Sequence, residues 1–403
     1  MTALEGIAPV APARRLPLLD ALRGLALFGI IQINLPAFLV GPDPIYALLG
    51  DHGSRSDWIA FVLDVLLIEA KFYPLFAFLF GYGFALQWQG MRRRGQAPQP
   101  LLIRRYGALV ALGVVHGSLL FFGDILTMYG LCGLLLIGTA PRGARMERRR
   151  VLIWLLFSLL LLAVQLFGPD APAAVAATDR DALDQALAQA LAQLAHGPFI
   201  AAAVDRARLY AVNQSYQLAA FLPQLLFFMS LGACAARLRL FARPARHRRI
   251  WRTCLVVGLG IGLPVNILLA ACEARLAQPG GAPALVVVAT EGLYPFACLL
   301  TPAYVAAVVY ASLAAARQPW LGVCIALLSR LGRLALTNYL VQSLGMLLLF
   351  SSIGLGLADR LSLVELVAIG FCACLVQTLA AAFYLRFART GPAEWLWRRF
   401  VYG

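Results

Sequence analysis

The sequence predicts an all-α, polytopic integral membrane protein with about ten transmembrane helices and both termini in the cytoplasm. Three observations lead there. Of 403 residues, 61% are hydrophobic and only 13% are charged, and the mean hydropathy is +0.79. Apolar runs of about 20 residues, the length that crosses a bilayer as a helix, recur along the chain. Basic residues gather in alternate loops, as they do on the cytoplasmic side of a membrane.

The charge is too sparse to cover a soluble protein of this length. A net charge of +15 would suggest nucleic acid in a soluble chain. Here no segment interleaves Lys or Arg with aromatics as a nucleic-acid surface does, so the excess is read as topogenic. Eight cysteines lie in or beside apolar segments with no CxxC pair, and they read as small buried apolar residues. No metal site is expected, and HExxH, GxSxG and Walker patterns are absent.

Ten spans are expected at roughly 22–40, 59–88, 106–122, 124–140, 151–168, 215–236, 252–272, 285–315, 333–352 and 363–386. The first is read as retained, because the apolar stretch after Leu22 carries no obvious small-residue cleavage site. The second and eighth are longer than a bilayer needs. Pro74, Pro295 and Pro302 predict kinks or tilts there. "GLGIGL" at 258–263 lies inside a span and is no dinucleotide loop.

Most of the 34 basic residues fall before the first span, in "MRRRGQAPQPLLIRR", "PRGARMERRR" and "RLRLFARPARHRR", and in the loops that follow. This places both termini inside. The chain then divides into a cytoplasmic segment (1–21), a five-span bundle (22–168), an outer loop (169–214), a second five-span bundle (215–386) and a cytoplasmic amphipathic tail (387–403). In the outer loop, Leu183, Leu187, Leu191 and Leu194 form the stripe of a helix capped by Asp179 or Asp181. The tail "GPAEWLWRRFVYG" has the Trp/Phe/Arg composition of an interfacial anchor.

Polar side chains inside spans are costly and tend to face a protein interior. In "LDALRGLALFGIIQIN", Asp20 and Arg23 are spaced to pair. Asn34, eleven residues after Arg23, shares its face at the other depth. In "LDVLLIEAKFYPLFAFLFGYGFAL", Asp64 and Lys71 are seven apart and Glu69 lies beside them. Opposite charges there should neutralise one another. The "GYG" of that run lacks the fuller filter loop of a potassium channel.

"LGVVHGSLLFFGDIL" places His116 in mid-span or the outer half of a span, between Gly113 and Gly117, where a neighbouring helix can approach closely. His116 either makes an interhelical hydrogen bond or does chemistry. Asp124, at an outer turn, either caps the next helix or orients a site. In "SRLGRLALTNYLVQSLGM", Asn338 and Gln342 share a face with Tyr339 and Ser343 beside it. That stripe is a cavity wall or helix glue. Glu291, with Asn266 in the span before it, makes a fifth polar group near the outer ends.

Five motifs in this order, "LDALRGLALFGIIQIN", "EAKFYPLFAFLFGYGFAL", "GVVHGSLLFFGDIL", "LGRLALTNYLVQS" and "GPAEWLWRRFVYG", resemble the YeiB-like bacterial membrane proteins (domain of unknown function 418). That family is similar, more distantly, to transmembrane acyltransferases that use cytosolic acyl-CoA to acylate sugars across a membrane. The likeness to these lies mainly in the first span. Acyltransferase-3 proteins carry a histidine near the end of that span, where this chain has Asn34.

The resemblance implies acyl transfer to a sugar, lipid or exported small molecule at the outer face of the bacterial inner membrane. His116 would be the general base or acyl carrier, with His52 a weaker second candidate, and Asp124 would orient the site. Arg23, Arg104 and Arg105 would hold acyl-CoA phosphates, while Asn34, Asn338 and Gln342 line the tunnel. Expected partners are the bilayer and a small-molecule or lipid substrate, with self-association left open and nucleic acid excluded. The alternative is a proton-coupled transporter or a lipid or small-molecule binding protein, with Asp64, Glu69, Lys71, His116 and Glu291 as its path. A third possibility is a scaffold whose polar residues only join helices.

Overall fold

A computed structural model of the chain describes residues 16–40, 49, 53–139, 143–167, 197–278, 282–358 and 360–402. All regular structure among them is helical. In chain order the α-helices are α1 (Pro17–Val40), α2 (Arg55–Leu67), α3 (Phe72–Arg93), α4 (Gln99–Leu119), α5 (Leu126–Gly138) and α6 (Ala144–Phe167). There follow α7 (Phe199–Ala220), α8 (Leu222–Arg237), α9 (Arg248–Val257), α10 (Leu263–Leu276), α11 (Ala284–Leu293) and α12 (Thr301–Ala314). The last four are α13 (Pro319–Arg333), α14 (Ala335–Phe350), α15 (Leu363–Tyr384) and α16 (Pro392–Tyr402).

Among the described residues, five helical segments are long and apolar enough to cross a bilayer, and two bent pairs raise that to seven. The protein is an integral membrane protein by this measure, with fewer individually sufficient spans than the ten expected. The reason is local. At 13 residues α5 is short for a bilayer, α3 ends in Gln87, Gln89, Arg92 and Arg93, and α4 opens with Arg104 and Arg105.

Several expected boundaries move. The expected span 59–88 breaks at residues 68–71, where Ala70 takes φ +59°, so α2 and α3 are separate helices. The expected span 215–236 and part of the expected outer loop form one bent pair, α7 and α8, turned by 64° at Phe221, with Pro223 opening α8. Arg206, placed in that loop by the charge count, is fully buried on α7 and donates to the Leu119 carbonyl at 2.6 Å. Between α9 and α10 the chain forms a π turn over Gly258–Gly262, the "GLGIG" stretch. A 3₁₀ segment, Tyr294–Leu300, carries the kink expected from Pro295. The leucine stripe at 183–194 lies outside the described residues, as does His52.

The bundle is built around α1. In the most apolar windows, 61% of α1 residues are buried but only 6% of α6 residues. Helix α6 therefore presents Ile153, Leu156, Leu160 and Phe167 outward, a face that suits lipid. The central crossings use glycines that let backbones touch. A Cβ on Gly332 would stand 1.9 Å from the Asp20 carbonyl oxygen, which fixes α1 against α13. One on Gly81 of "GYG" would stand 1.8 Å from the Met229 carbonyl oxygen, so that tripeptide marks the crossing of α3 and α8.

The tail helix α16 closes one end of the bundle, against α4 and α14. Glu394 accepts the amides of Leu336 and Thr337 at 2.8 and 3.1 Å and so caps α14 from another element. Val401 packs on Met91 and Leu101. Trp395, Leu396 and Phe400 remain exposed on the helix, as an interfacial anchor requires.

Candidate functional site

Two glycines on α4 permit the site to form. A Cβ on Gly113 would lie 2.3 Å from Thr127 Oγ1 and 2.7 Å from Asp124 Oδ2. One on Gly117 would lie 2.2 Å from the Tyr210 ring. Because both lack side chains, the start of α5 and the face of α7 press directly on α4, with His116 between them.

The chain leaves α4 at Leu119 and returns within a few residues, bringing Asp124 back over the helix. His116 Nδ1 lies 2.8 Å from Asp124 Oδ1, and His116 Nε2 lies 2.8 Å from Ser343 Oγ on α14. A carboxylate only accepts, so Nδ1 carries the proton toward Asp124, and a neutral ring leaves Nε2 as acceptor for the Ser343 hydroxyl, whose proton also has the Tyr339 carbonyl at 3.3 Å within reach. The result is a Ser343–His116–Asp124 hydrogen-bonded chain, with exposures of 0%, 1% and 0%.

The surroundings hold each member in place. Asp124 Oδ2 accepts the Thr127 amide at 2.8 Å, so the residue caps α5 and orients the imidazole at once. Thr127 Oγ1 lies 2.8 Å from the Tyr210 hydroxyl, and Gln214 donates to the Asp124 carbonyl at 2.7 Å. The Tyr339 ring packs 4.9 Å from the imidazole. Asn213 and Arg206 bind the carbonyls of Phe122 and Leu119, which fixes the α4–α5 turn to α7.

The other expected residues are placed as follows. Asn338 donates to the Leu331 carbonyl at 3.0 Å, and Gln342 donates to Gln377 at 2.9 Å, leaving Gln342 Oε1 without a partner among the described residues. Arg23 pairs with Asp20 at 2.8 Å. Asn34 is half-buried on α1. Arg104 donates to the Phe400 carbonyl of the tail, with its guanidinium 5.9 Å from that ring, and Arg105 is half-buried beside it.

Glu69 and Lys71 belong elsewhere. They sit at the α2–α3 break with Asp64, and no hydrogen bond or ion pair joins them to His116. They do not meet through a continuous helix face, because the helix ends before Lys71. Glu291 is exposed and accepts from Gln165 at 3.1 Å. No group of metal-ligating side chains occurs among the described residues.

Ser343 was the residue that sequence reasoning placed in a stripe without a role. Its sequence signal was only its neighbourhood, a hydroxyl beside Gln342 and four residues from Tyr339. Gln214, Tyr210 and Arg206 have no readable signal, since their contacts lie 83 to 90 residues away in sequence.

These features define a polytopic helical membrane protein with a sealed serine–histidine–aspartate chain among its helices. The chain belongs to the YeiB-like family. The family model described as "Protein of unknown function (DUF418)" matches residues 235–403. The chain is 30% identical to Uncharacterized protein YxaH of Bacillus subtilis (strain 168), over 99% of this chain and 97% of that one. It is 32% identical to Uncharacterized protein YeiB of Escherichia coli (strain K12), over 94% of each chain. No solved structure matches.

Proposed function

We propose that the protein is an acyltransferase of the bacterial cytoplasmic membrane, with both termini inside and its reaction centred on Ser343, His116 and Asp124. The observation that carries this reading is the pair of 2.8 Å contacts at the two ring nitrogens of one buried histidine. Asp124 holds the tautomer, which leaves Nε2 as a base directed at a hydroxyl.

In the reaction, Ser343 Oγ attacks the carbonyl carbon of an acyl-CoA thioester as its proton passes to His116 Nε2. The carbon–sulfur bond breaks and the CoA thiolate takes that proton. An acceptor hydroxyl or amine then attacks the acyl-serine, gives its proton to Nε2, and Ser343 leaves as the alcohol on receiving it. Arg23, Arg104 and Arg105 supply cationic charge at the inner side for the CoA phosphates. The acceptor is a sugar, lipid or exported small molecule at the outer face.

The test is acyl-CoA hydrolysis and transfer by the purified protein in bilayers. Ser343→Ala and His116→Ala should each lower the rate by about 10²–10⁴-fold. Loss only in His116→Ala makes the histidine the base toward the acceptor and Ser343 its hydrogen-bond partner. Wild-type rates in both variants sink the reading.

A further inference from the structure

A second buried polar group lies around Lys71, where a break between two helices meets irregular turns inside two further spans. Residues 68–71 interrupt α2 and α3, the π turn at Gly258–Gly262 leads into α10, and the 3₁₀ turn at Tyr294–Leu300 leads into α12. The breaks are locked to one another. Asn266 donates to both the Gly262 and Ala297 carbonyls, at 2.8 and 3.0 Å. Thr301 donates to the Lys71 carbonyl at 2.8 Å, and Tyr304 to the Leu67 carbonyl at 2.8 Å. Gln224 accepts from the Tyr73 hydroxyl at 2.8 Å and donates to the Pro295 carbonyl at 3.2 Å. Irregular backbone at membrane depth persists where it is buried or surrounds a site, and broken helices are a usual place to hold coupling ions.

The charges at this place do not balance. Lys71 is fully buried, with its ammonium donating to the Val65 carbonyl. It faces Glu69 from its own turn, Asp64 from α2 and Glu273 from α10, with Cys298 near it on the 3₁₀ turn. Tyr294 and Tyr73 stand near Glu69, and Glu291 faces Glu273 from the exposed side. Asp64 is 3% exposed and Glu273 6% exposed. Asp64 Oδ2 and Glu69 Oε2 are buried with no hydrogen-bond partner among the described residues.

We propose that the Asp64–Glu69–Lys71–Glu273 group is a proton-binding site that holds two protons at neutral pH. Three carboxyls against one ammonium leave two negative charges in excess, and buried excess charge is removed by protonation. A proton fits where a metal ion does not. Each unpartnered oxygen accepts one covalently and needs no coordination cavity, and the described residues contain no metal-ligating group. The site is separate from the His116 chain, and the acyl-transfer reading stands or falls without it.

Infrared spectroscopy of the full-length protein in bilayers tests this through the carbonyl stretch of protonated carboxyls. The intensity lost in the triple variant Asp64→Asn/Glu69→Gln/Glu273→Gln counts the protons of this group. Two per chain are expected at neutral pH, falling to one in Asp64→Asn. In Lys71→Met the count should rise to three, since the compensating cation is gone. No loss of intensity in the triple variant overturns the site. A count that Lys71→Met leaves unchanged overturns the charge balance. The wild-type spectrum decides even if variants fail to fold, because absence of any protonated-carboxyl band at neutral pH also overturns the proposal.

Discussion

The group around His116 and the group around Lys71 are both buried and polar, yet they are built in opposite ways. The first sits between regular helices. His116 has a partner at each ring nitrogen, and both Asp124 carboxyl oxygens are engaged. The second sits at the α2–α3 break, and two of its carboxyl oxygens lack partners among the described residues. A satisfied chain fixes orientation, which is what proton transfer between defined atoms requires. An unsatisfied, charge-unbalanced group cannot do that, but it can take up and release protons.

The comparison breaks most sharply in activity. Asp124→Asn should cost about 10²–10⁴-fold in acyl transfer, because an amide in place of the carboxylate no longer fixes the tautomer. Lys71→Met should leave that rate within a few-fold. Equal losses in the two variants would merge the groups into one functional unit. In stability the order reverses. Lys71→Met removes the cation paired with the one ionised carboxyl, which must then take up a third proton at neutral pH, and should destabilise by about 3–5 kcal/mol, read by thermal denaturation in detergent.

Packing gives the next effect. Gly117→Ala drives a methyl group into the Tyr210 ring and should cost about 1–3 kcal/mol, with acyl transfer falling alongside as α7 is displaced. Glu394→Ala removes the cap of α14 and should cost about 1 kcal/mol. The smallest effect lies at the start of α2. Burial alone would raise the Asp57 carboxyl, but hydrogen bonds from Ser54 and from the Val364 amide outweigh it and hold the group below its usual range. Its contribution is therefore complete above the unfolded value of about 3.9 and disappears as pH falls through the lower folded value. Asp57→Asn should cost about 1 kcal/mol at neutral pH, and the gap to wild type should close in acid.

Much of the site was legible, though in separated pieces. His116 stood out because it is a titratable residue between two glycines in an apolar run, and those glycines do admit Thr127 and Tyr210. Asp124 reads as either a cap or an orienting residue at an outer turn, and the turn folds it back onto His116. Cap and orienting residue proved to be compatible roles, since a carboxylate has two oxygens. Ser343 lies 227 residues from His116, and no local pattern joins them. Glu273 went unnoticed in "LAACEARL", although it follows Asn266 by two helical turns on one face of α10.

By itself the sequence determined the helical class, the membrane setting and most of the costly polar residues. Hydropathy and charge act over the length of one span, so a single run of residues states them. Tertiary structure decided where helices break and which polar residues meet. Helix α3 begins at Phe72 because Lys71 turns inward toward carboxyls on other elements, and α14 is capped by a glutamate 58 residues further on. Such contacts join distant segments, and their energies arise only when the bundle closes and removes both partners from water.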